Sequence, residues 1–300
     1  MVGSIPLTII VTTFQEEQTL PRALDALLAQ PLPERSEVLV VGPDDATAAV
    51  AARYAALDAR IRHLRDKGQG KPAALNLAFA EARGEFAVLT DGDVYLGPGA
   101  LLELLAPFRD IHVGAVSGRP HSLNPRDNML GYWSHLLVEQ AHQLRLFKAR
   151  RGEYCECSGY LYAVRRSLVQ PIPEDTLVED GIVSFQVWKQ GCCIAYAPEA
   201  AVYCRFPATW ADWLRQKVRT TAGYQQPYFR KAPRVRSLRE EMVQGTRRTL
   251  QFARTPREFL WSLALLPARL YVWLYSAWRL WRSRSGKGLW QRVESTKRVE

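Results

Sequence analysis

Two aspartates stand either side of one glycine where the apolar run of GEFAVLTDGDVYLGPGAL ends: Asp91 and Asp93. Carboxylates this close repel one another unless water or a cation intervenes. An Asp-Gly turn facing solvent fits the pattern. So does a site for a hard divalent cation, Mg²⁺ or Mn²⁺, which takes one or two carboxylates plus substrate phosphates. In LVEDGIVSFQVW, Glu179 and Asp180 open an expected helix. Acids there complement the positive helix end, or Asp180 acts as a general base on an attacking hydroxyl. In WADWLRQKVRTTAGYQQ, Gln216 and Arg219 are three apart and share a helix face. That face is either a solvated basic one or one on which Arg219 supports a diphosphate, with Trp210 and Trp213 as flat surfaces for a sugar. RDKGQGKPAALN sets Lys71 among glycines before a helix start, placed to face phosphate. It matches neither the P-loop nor the Rossmann fingerprint. His121, His135 and His142 have no partner spacing and read as structural.

The elements that must position these residues alternate along the first 120 positions. LTIIVTTF and EVLVVG are short, continuously apolar and rich in Val and Ile, as buried parallel strands are. LPRALDALLAQ and ATAAVAARYAAL have helical spacing, RIRHLRD is a weaker strand, and KPAALNLAFAEARG is a helix with Gly84 as its expected C-cap. EFAVLTD and HVGAVSGRP give further strands. This order predicts a mostly parallel sheet with helices on both faces, and ligands at the carboxyl ends of its strands. Asp91, Asp93, Asp44 and Asp45 all fall at such ends. Beyond residue 120 comes a long helix, NMLGYWSHLLVEQAHQLRLFKARR, then a mixed α/β stretch, then helix from Thr209.

The chain has 300 residues, 47% hydrophobic and 23% charged, enough to bury a sizeable core. A formal net charge of +10 favours an anionic partner, and the basic residues are densest after Arg230. Five cysteines at 155, 157, 192, 193 and 204 form no CxxC and no zinc spacing, which fits a reducing cytosol. The N-terminus, without a basic n-region, reads as a strand rather than a signal peptide, so a cytosolic catalytic part is expected.

Taken in order, IIVTTFQEEQTLPRALDALLAQ, GKPAALNLAFAEARGEFAVLTDGD, CSGYLYAVRRSLV, VED and QKVRT resemble the family-2 glycosyltransferases over roughly residues 5 to 225. The resemblance implies a GT-A fold, Rossmann-like, and an inverting transferase that uses a nucleotide diphosphate-sugar and a divalent metal. It implies that Asp91 and Asp93 bind the nucleotide and its metal, Asp93 being the more direct ligand. Asp180, preceded by Glu179, is then the base on the acceptor hydroxyl. Gln216 and Arg219 match the QxxRW helix motif. Thr12, Phe14 and Glu16 meet the base and ribose, and Lys71 precedes the second nucleotide-contacting helix. Two departures stand out. VVGPDDAT replaces the family's acidic pair after the second strand, which places Asp45 at the later family aspartate. Thr220 replaces the motif's tryptophan, which argues against processive synthesis.

FLWSLALLPARLYVWLYSAWRLW, residues 259–281, would be about 34 Å long as a helix, enough to cross a bilayer. Ser262, Arg269 and Ser276 recur every seven residues as a narrow polar stripe, Pro267 is an expected kink, and Arg269 at mid-span would cost about 2.5–3.5 kcal/mol. Both flanks are basic, so a single span would export one cluster against the positive-inside tendency. The expectation is therefore a catalytic domain over 1–225, split near residue 120 into nucleotide-sugar and acceptor halves. Residues 226–300 then form amphipathic helices lying on the anionic cytoplasmic face of a membrane. A helix docked on the domain or on a partner is the plainer alternative. The acceptor expected is a lipid-linked or cell-surface glycan. A sugar nucleotidyltransferase would need a glycine-rich N-terminal phosphate loop, which VTTFQEEQTL lacks. A nucleic-acid-binding protein would carry its charge along a phosphate track rather than around an aromatic helix.

Overall fold

Leu7–Thr12 (β1) is buried at every position, the composition of a strand covered on both faces. Ser36–Val41 (β2) and Phe86–Asp91 (β4) flank it in parallel, and Ile61–Leu64 (β3) pairs in parallel with β2. Val94–Leu96 (β5), Val113–Ser122 (β6), Leu161–Arg165 (β7) and Cys193–Cys204 (β8) complete one sheet in the order β3-β2-β1-β4-β7-β6-β8-β5. This computed structural model describes residues 6–233, 251–282 and 293–297. β7 runs antiparallel to both β4 and β6, while β6 and β8 are parallel.

Successive side chains of β1 point to opposite faces, and the two faces feed separate cores. Ile10 joins the core that holds Leu75, Trp133 and Val183. Ile9 and Val11 join the core that holds Leu24, Val50 and Leu101. Helices Leu20–Leu28 (α1), Asp45–Leu57 (α2) and Ala100–Leu105 (α4) cover the second face. Lys71–Glu81 (α3), Met129–Arg150 (α5), Glu179–Lys189 (α6) and Trp210–Tyr224 (α7) cover the first. Register matters at one end: Thr12 of β1 lies beside both Val41 of β2 and Asp91 of β4. Three carboxyl ends therefore open on the same rim.

Gly84 does not cap α3, which stops at Glu81. Its role is a close approach, since a Cβ there would lie 2.4 Å from the Thr8 amide nitrogen of β1. A second close approach positions the site. At Gly223 of α7 a Cβ would come 2.1 Å from Val178 Cγ2, in the turn that leads into Glu179 and Asp180. Helix propensity alone favours Gly→Ala by about 1 kcal/mol. Crowding opposes it, so Gly223→Ala is expected to destabilise the protein by about 1–3 kcal/mol in urea unfolding. A stabilised variant would show that α7 does not press on that turn.

Helix Pro256–Arg282 (α8) stays helical through Pro267 and packs on α7 and α5 through Leu265, Ala268 and Val272. The polar stripe faces inward: Ser262 and Ser276 are fully buried, Ser262 Oγ bonds Tyr132 Oη at 2.6 Å, and Ser276 Oγ donates to Val272 O. Trp133 Nε1 donates to Trp261 O at 2.7 Å, and the Arg126 guanidinium grips both oxygens of Glu258. Most of what remains outside is apolar: Leu260, Leu263, Leu266, Leu270, Leu274 and Trp278 are exposed. No described helix is long and apolar enough to cross a membrane. Of the expected tail, 234–250, 283–292 and 298–300 lie outside the described residues.

Candidate functional site

A cleft of about 2130 Å³ opens over the carboxyl ends of β1 and β4. Thr12, Phe14, Glu16, Lys71, Asp91, Asp93, Glu179, Asp180, Gln216 and Arg219 all line it, drawn together from five separate segments. Asp45 does not. It sits in the first turn of α2 with its side chain 86% exposed, paired with Arg65 at 2.7 Å. Its neighbour Asp44 caps α2, accepting from the Thr47 and Gln15 amides at 2.9 Å each. The glycine that departs from the family pattern has a steric reason: a Cβ on Gly42 would lie 2.5 Å from Thr13 Oγ1.

The two aspartates hold different partners. Asp91 Oδ1 accepts from Lys71 Nζ at 2.6 Å and from Thr12 Oγ1. Lys71 Nζ also lies 3.3 Å from Glu179 Oε1. Burial raises the pKa of Asp91, but Lys71 and Thr12 outweigh it and hold the carboxyl below its usual value. Burial likewise works against the charge on Lys71, and Asp91 and Glu179 overcome it, leaving the ammonium above its ordinary range. Lys71 thus faces carboxylates as well as the open cleft.

Asp93 instead shares a cation with Glu16. Lys297 Nζ is 2.7 Å from Asp93 Oδ2 and also donates to Glu16 Oε1. Glu16 is pushed up to about 8, chiefly by burial and then by Asp93 and Asp91, with Lys297 opposing. Its second oxygen, Oε2, is buried with no hydrogen-bond partner among the described residues. The glycine between the aspartates is small for this reason: a Cβ on Gly92 would meet Glu16 Oε2 at 2.5 Å.

Across the cleft, Asp180 begins α6 and takes the Gly181 amide at 3.0 Å. Burial raises its pKa to about 6 and the Glu179 charge adds to this, with Lys71 opposing. A carboxyl so tuned changes protonation close to neutral pH, as a general base should. Gln216 and Arg219 reach the same cleft from α7, and Arg219 Nε is buried with no partner among the described residues. Thr220, where an aromatic would stand, folds its hydroxyl back onto Gln216 O at 3.0 Å.

Trp210 and Trp213 do not line the cleft. They stack on one another at 5.1 Å and cluster with Trp133 away from the cleft lining. The three histidines are structural: His135 bonds Asn124 O, His142 bonds Tyr196 Oη, and His121 stacks on Tyr203. Two contributors carried no sequence signal. Lys297 lies 204 positions from Asp93. Glu156, also in the lining, is held by Tyr224 Oη at 2.6 Å and by nothing that spacing reveals.

Residues 5–223 match the profile of a family described as "Glycosyltransferase like family 2". The chain belongs to that family. It is 25% identical over 236 residues to a probable glycosyltransferase, YdaM, of Bacillus subtilis (strain 168), covering 73% of this chain and 55% of that protein. It is also 25% identical over 226 residues to poly-beta-1,6-N-acetyl-D-glucosamine synthase of Staphylococcus aureus (strain COL), covering 72% of this chain and 54% of the synthase. This family-2 chain therefore spans about half the length of the curated relatives it matches. Among solved structures, the mannosyltransferase PcManGT from Pyrobaculum calidifontis, in complex with GDP-Man and Mn2+, superposes with a TM-score of 0.61. Its identity is 23%, over 92% of this chain and 83% of that one. The likeness establishes the fold, which is of GT-A type. Family membership also sets the nucleotidyltransferase alternative aside.

Proposed function

We propose that the chain moves a sugar from a nucleotide diphosphate-sugar to an acceptor hydroxyl with inversion at the anomeric carbon. One observation carries the reading: Asp180, with a pKa raised to about 6, faces the same cleft as the Asp91–Asp93 turn and the unpartnered Arg219 Nε. Asp180 takes the proton of the acceptor hydroxyl as that oxygen attacks the anomeric carbon from the face opposite the diphosphate. Arg219 Nε donates to a phosphate oxygen, and Lys71 holds Asp91 in place from the start of α3. Phe14 and Pro43, which also line the cleft, are the surfaces we assign to the nucleoside.

The residues present fit a divalent cation. No three His, Cys, Asp or Glu side chains converge on one point among the described residues. Asp93 and Glu16 nevertheless offer hard oxygens beside space for phosphate, among them the unpartnered Glu16 Oε2, the donor set Mg²⁺ or Mn²⁺ accepts. Such an ion, when bound, neutralises charge on the departing diphosphate. Release of nucleoside diphosphate from UDP- and GDP-sugars by the full chain tests the reading. No release from any donor with Mn²⁺ present would retire it.

The acceptor we favour is a lipid-linked or surface glycan, handled on the cytoplasmic face of the membrane. Leu266 and Leu270 of α8 line the cleft and belong to the helix's exposed apolar ridge, so the cleft mouth adjoins the surface that would rest on lipid. The intact chain is expected to float with anionic vesicles. The double variant Leu260→Asp, Leu274→Asp, at two positions each 64% exposed, should bind at least about tenfold more weakly. Wild-type chain left at the bottom of the gradient would refute the membrane contact.

A further inference from the structure

A cation already stands where the acidic turn would hold one, and the chain itself supplies it. Lys297 Nζ bridges Asp93 and Glu16, whose side chains are 13% and 5% exposed. A short turn, Glu294–Thr296, delivers the lysine, and Ser295 and Thr296 are buried. Ser295 N–H donates to Asp212 Oδ2 at 3.1 Å, and the Ala208 amide donates to Ser295 Oγ at 3.1 Å. Val293, Thr296 and Lys297 line the cleft that also holds Asp180 and Arg219. The turn thus fills part of the donor space while its lysine neutralises the acids.

We propose that Lys297 competes with the divalent cation for Asp93 and Glu16, so that metal-nucleotide entry expels the lysine and frees the 293–297 turn. The proposal rests on the donor reading above. A metal ion bound about 2.1 Å from these carboxylate oxygens would lie almost on the ammonium nitrogen, and like charges that close exclude one another. The exchange has a direction. A monovalent ammonium is replaced by a divalent ion that brings phosphate ligands with it, and the departing turn clears volume for them. Ser295 ties the turn to Ala208 and Asp212, and Lys297 ties it to Glu16 and Asp93, none of which lies within a strand, so the turn can leave without breaking a sheet contact made by these residues. Lys297 therefore lowers the affinity of the empty cleft for free metal and makes retention of the ion depend on the nucleotide that accompanies it.

The test is Mn²⁺ binding to the full chain, followed by electron paramagnetic resonance of the free ion, in wild type and Lys297→Met. The variant is expected to bind Mn²⁺ at least about tenfold more tightly. In wild type, amide hydrogen exchange at Ser295, Thr296 and Lys297 should speed up when Mn²⁺ and UDP or GDP are added together. Equal or weaker Mn²⁺ affinity in the variant overturns the proposal, as does exchange at these amides that ignores Mn²⁺ and nucleotide. If nucleotide still binds with Mn²⁺ while Lys297→Met changes nothing, only the competition is discarded. If neither form binds nucleotide, the donor reading falls with it.

Discussion

Asp180→Asn is expected to cut donor turnover by about 10²- to 10⁴-fold, the range for losing a general base, while leaving nucleotide affinity unchanged. The pH profile of the wild-type protein should show why. Below about 6 the carboxyl is protonated and cannot accept the acceptor's proton, so the rate should rise about tenfold per pH unit and level off above. The same residue should leave a mark on stability of the opposite sign. Its folded pKa, about 6, stands above the ordinary aspartate value of 3.8, because burial and Glu179 penalise the charge. Its stabilising contribution is present below 3.8 and is lost as pH rises through about 6. At pH 7 the ionised Asp180 is therefore a burden of about 1–3 kcal/mol, and Asp180→Asn should unfold at a higher temperature than wild type. An inactive, stabilised variant is the signature of a charge kept for chemistry. A variant that is inactive and destabilised would make Asp180 a structural residue.

Lys71→Met should have the largest effect on folding. Its ammonium lies 2.6 Å from Asp91 Oδ1 and 3.3 Å from Glu179 Oε1, and its side chain is 24% exposed. Removing one partner of such a group leaves buried negative charge without compensation, at a cost of about 3–5 kcal/mol. For a chain of this size that is a fall of roughly 10 °C in melting temperature. The cause can be isolated: Asp91→Asn added to Lys71→Met should restore much of the loss, because the orphaned charge is then gone. Additive losses in the double variant would show that Lys71 stabilises the fold through packing alone.

The parts of this fold legible in the sequence were those specified locally. β1, β2 and β4 announce themselves as apolar runs, α1 as a periodic one and α2 and α3 as alanine-rich ones, because burial on both faces or on one stripe and helix propensity leave that record. β5 and β7 are three and five residues long, and nothing in them states that β7 inserts antiparallel between β4 and β6. The aspartate pair, Asp180 and Arg219, which the structure brings to one cleft, were singled out through ordered motifs. Asp45 was misplaced because one step along the start of α2 turns a side chain from the cap position to open solvent. The seven-residue spacing of Ser262, Arg269 and Ser276 gave a face but not its direction. That direction depends on Tyr132, more than a hundred positions away. Lys297 was invisible for the same reason, since an ion pair between chain ends leaves no periodicity.

The most direct test of the central claim, one cleft that seats a nucleotide diphosphate with Asp180 beside it, is calorimetric titration with UDP and GDP in Mn²⁺. Wild type and Asp180→Asn are predicted to bind one of them alike, while Asp93→Asn and Arg219→Ala bind it at least about tenfold more weakly. Wild-type affinity in both Asp93→Asn and Arg219→Ala would contradict the account.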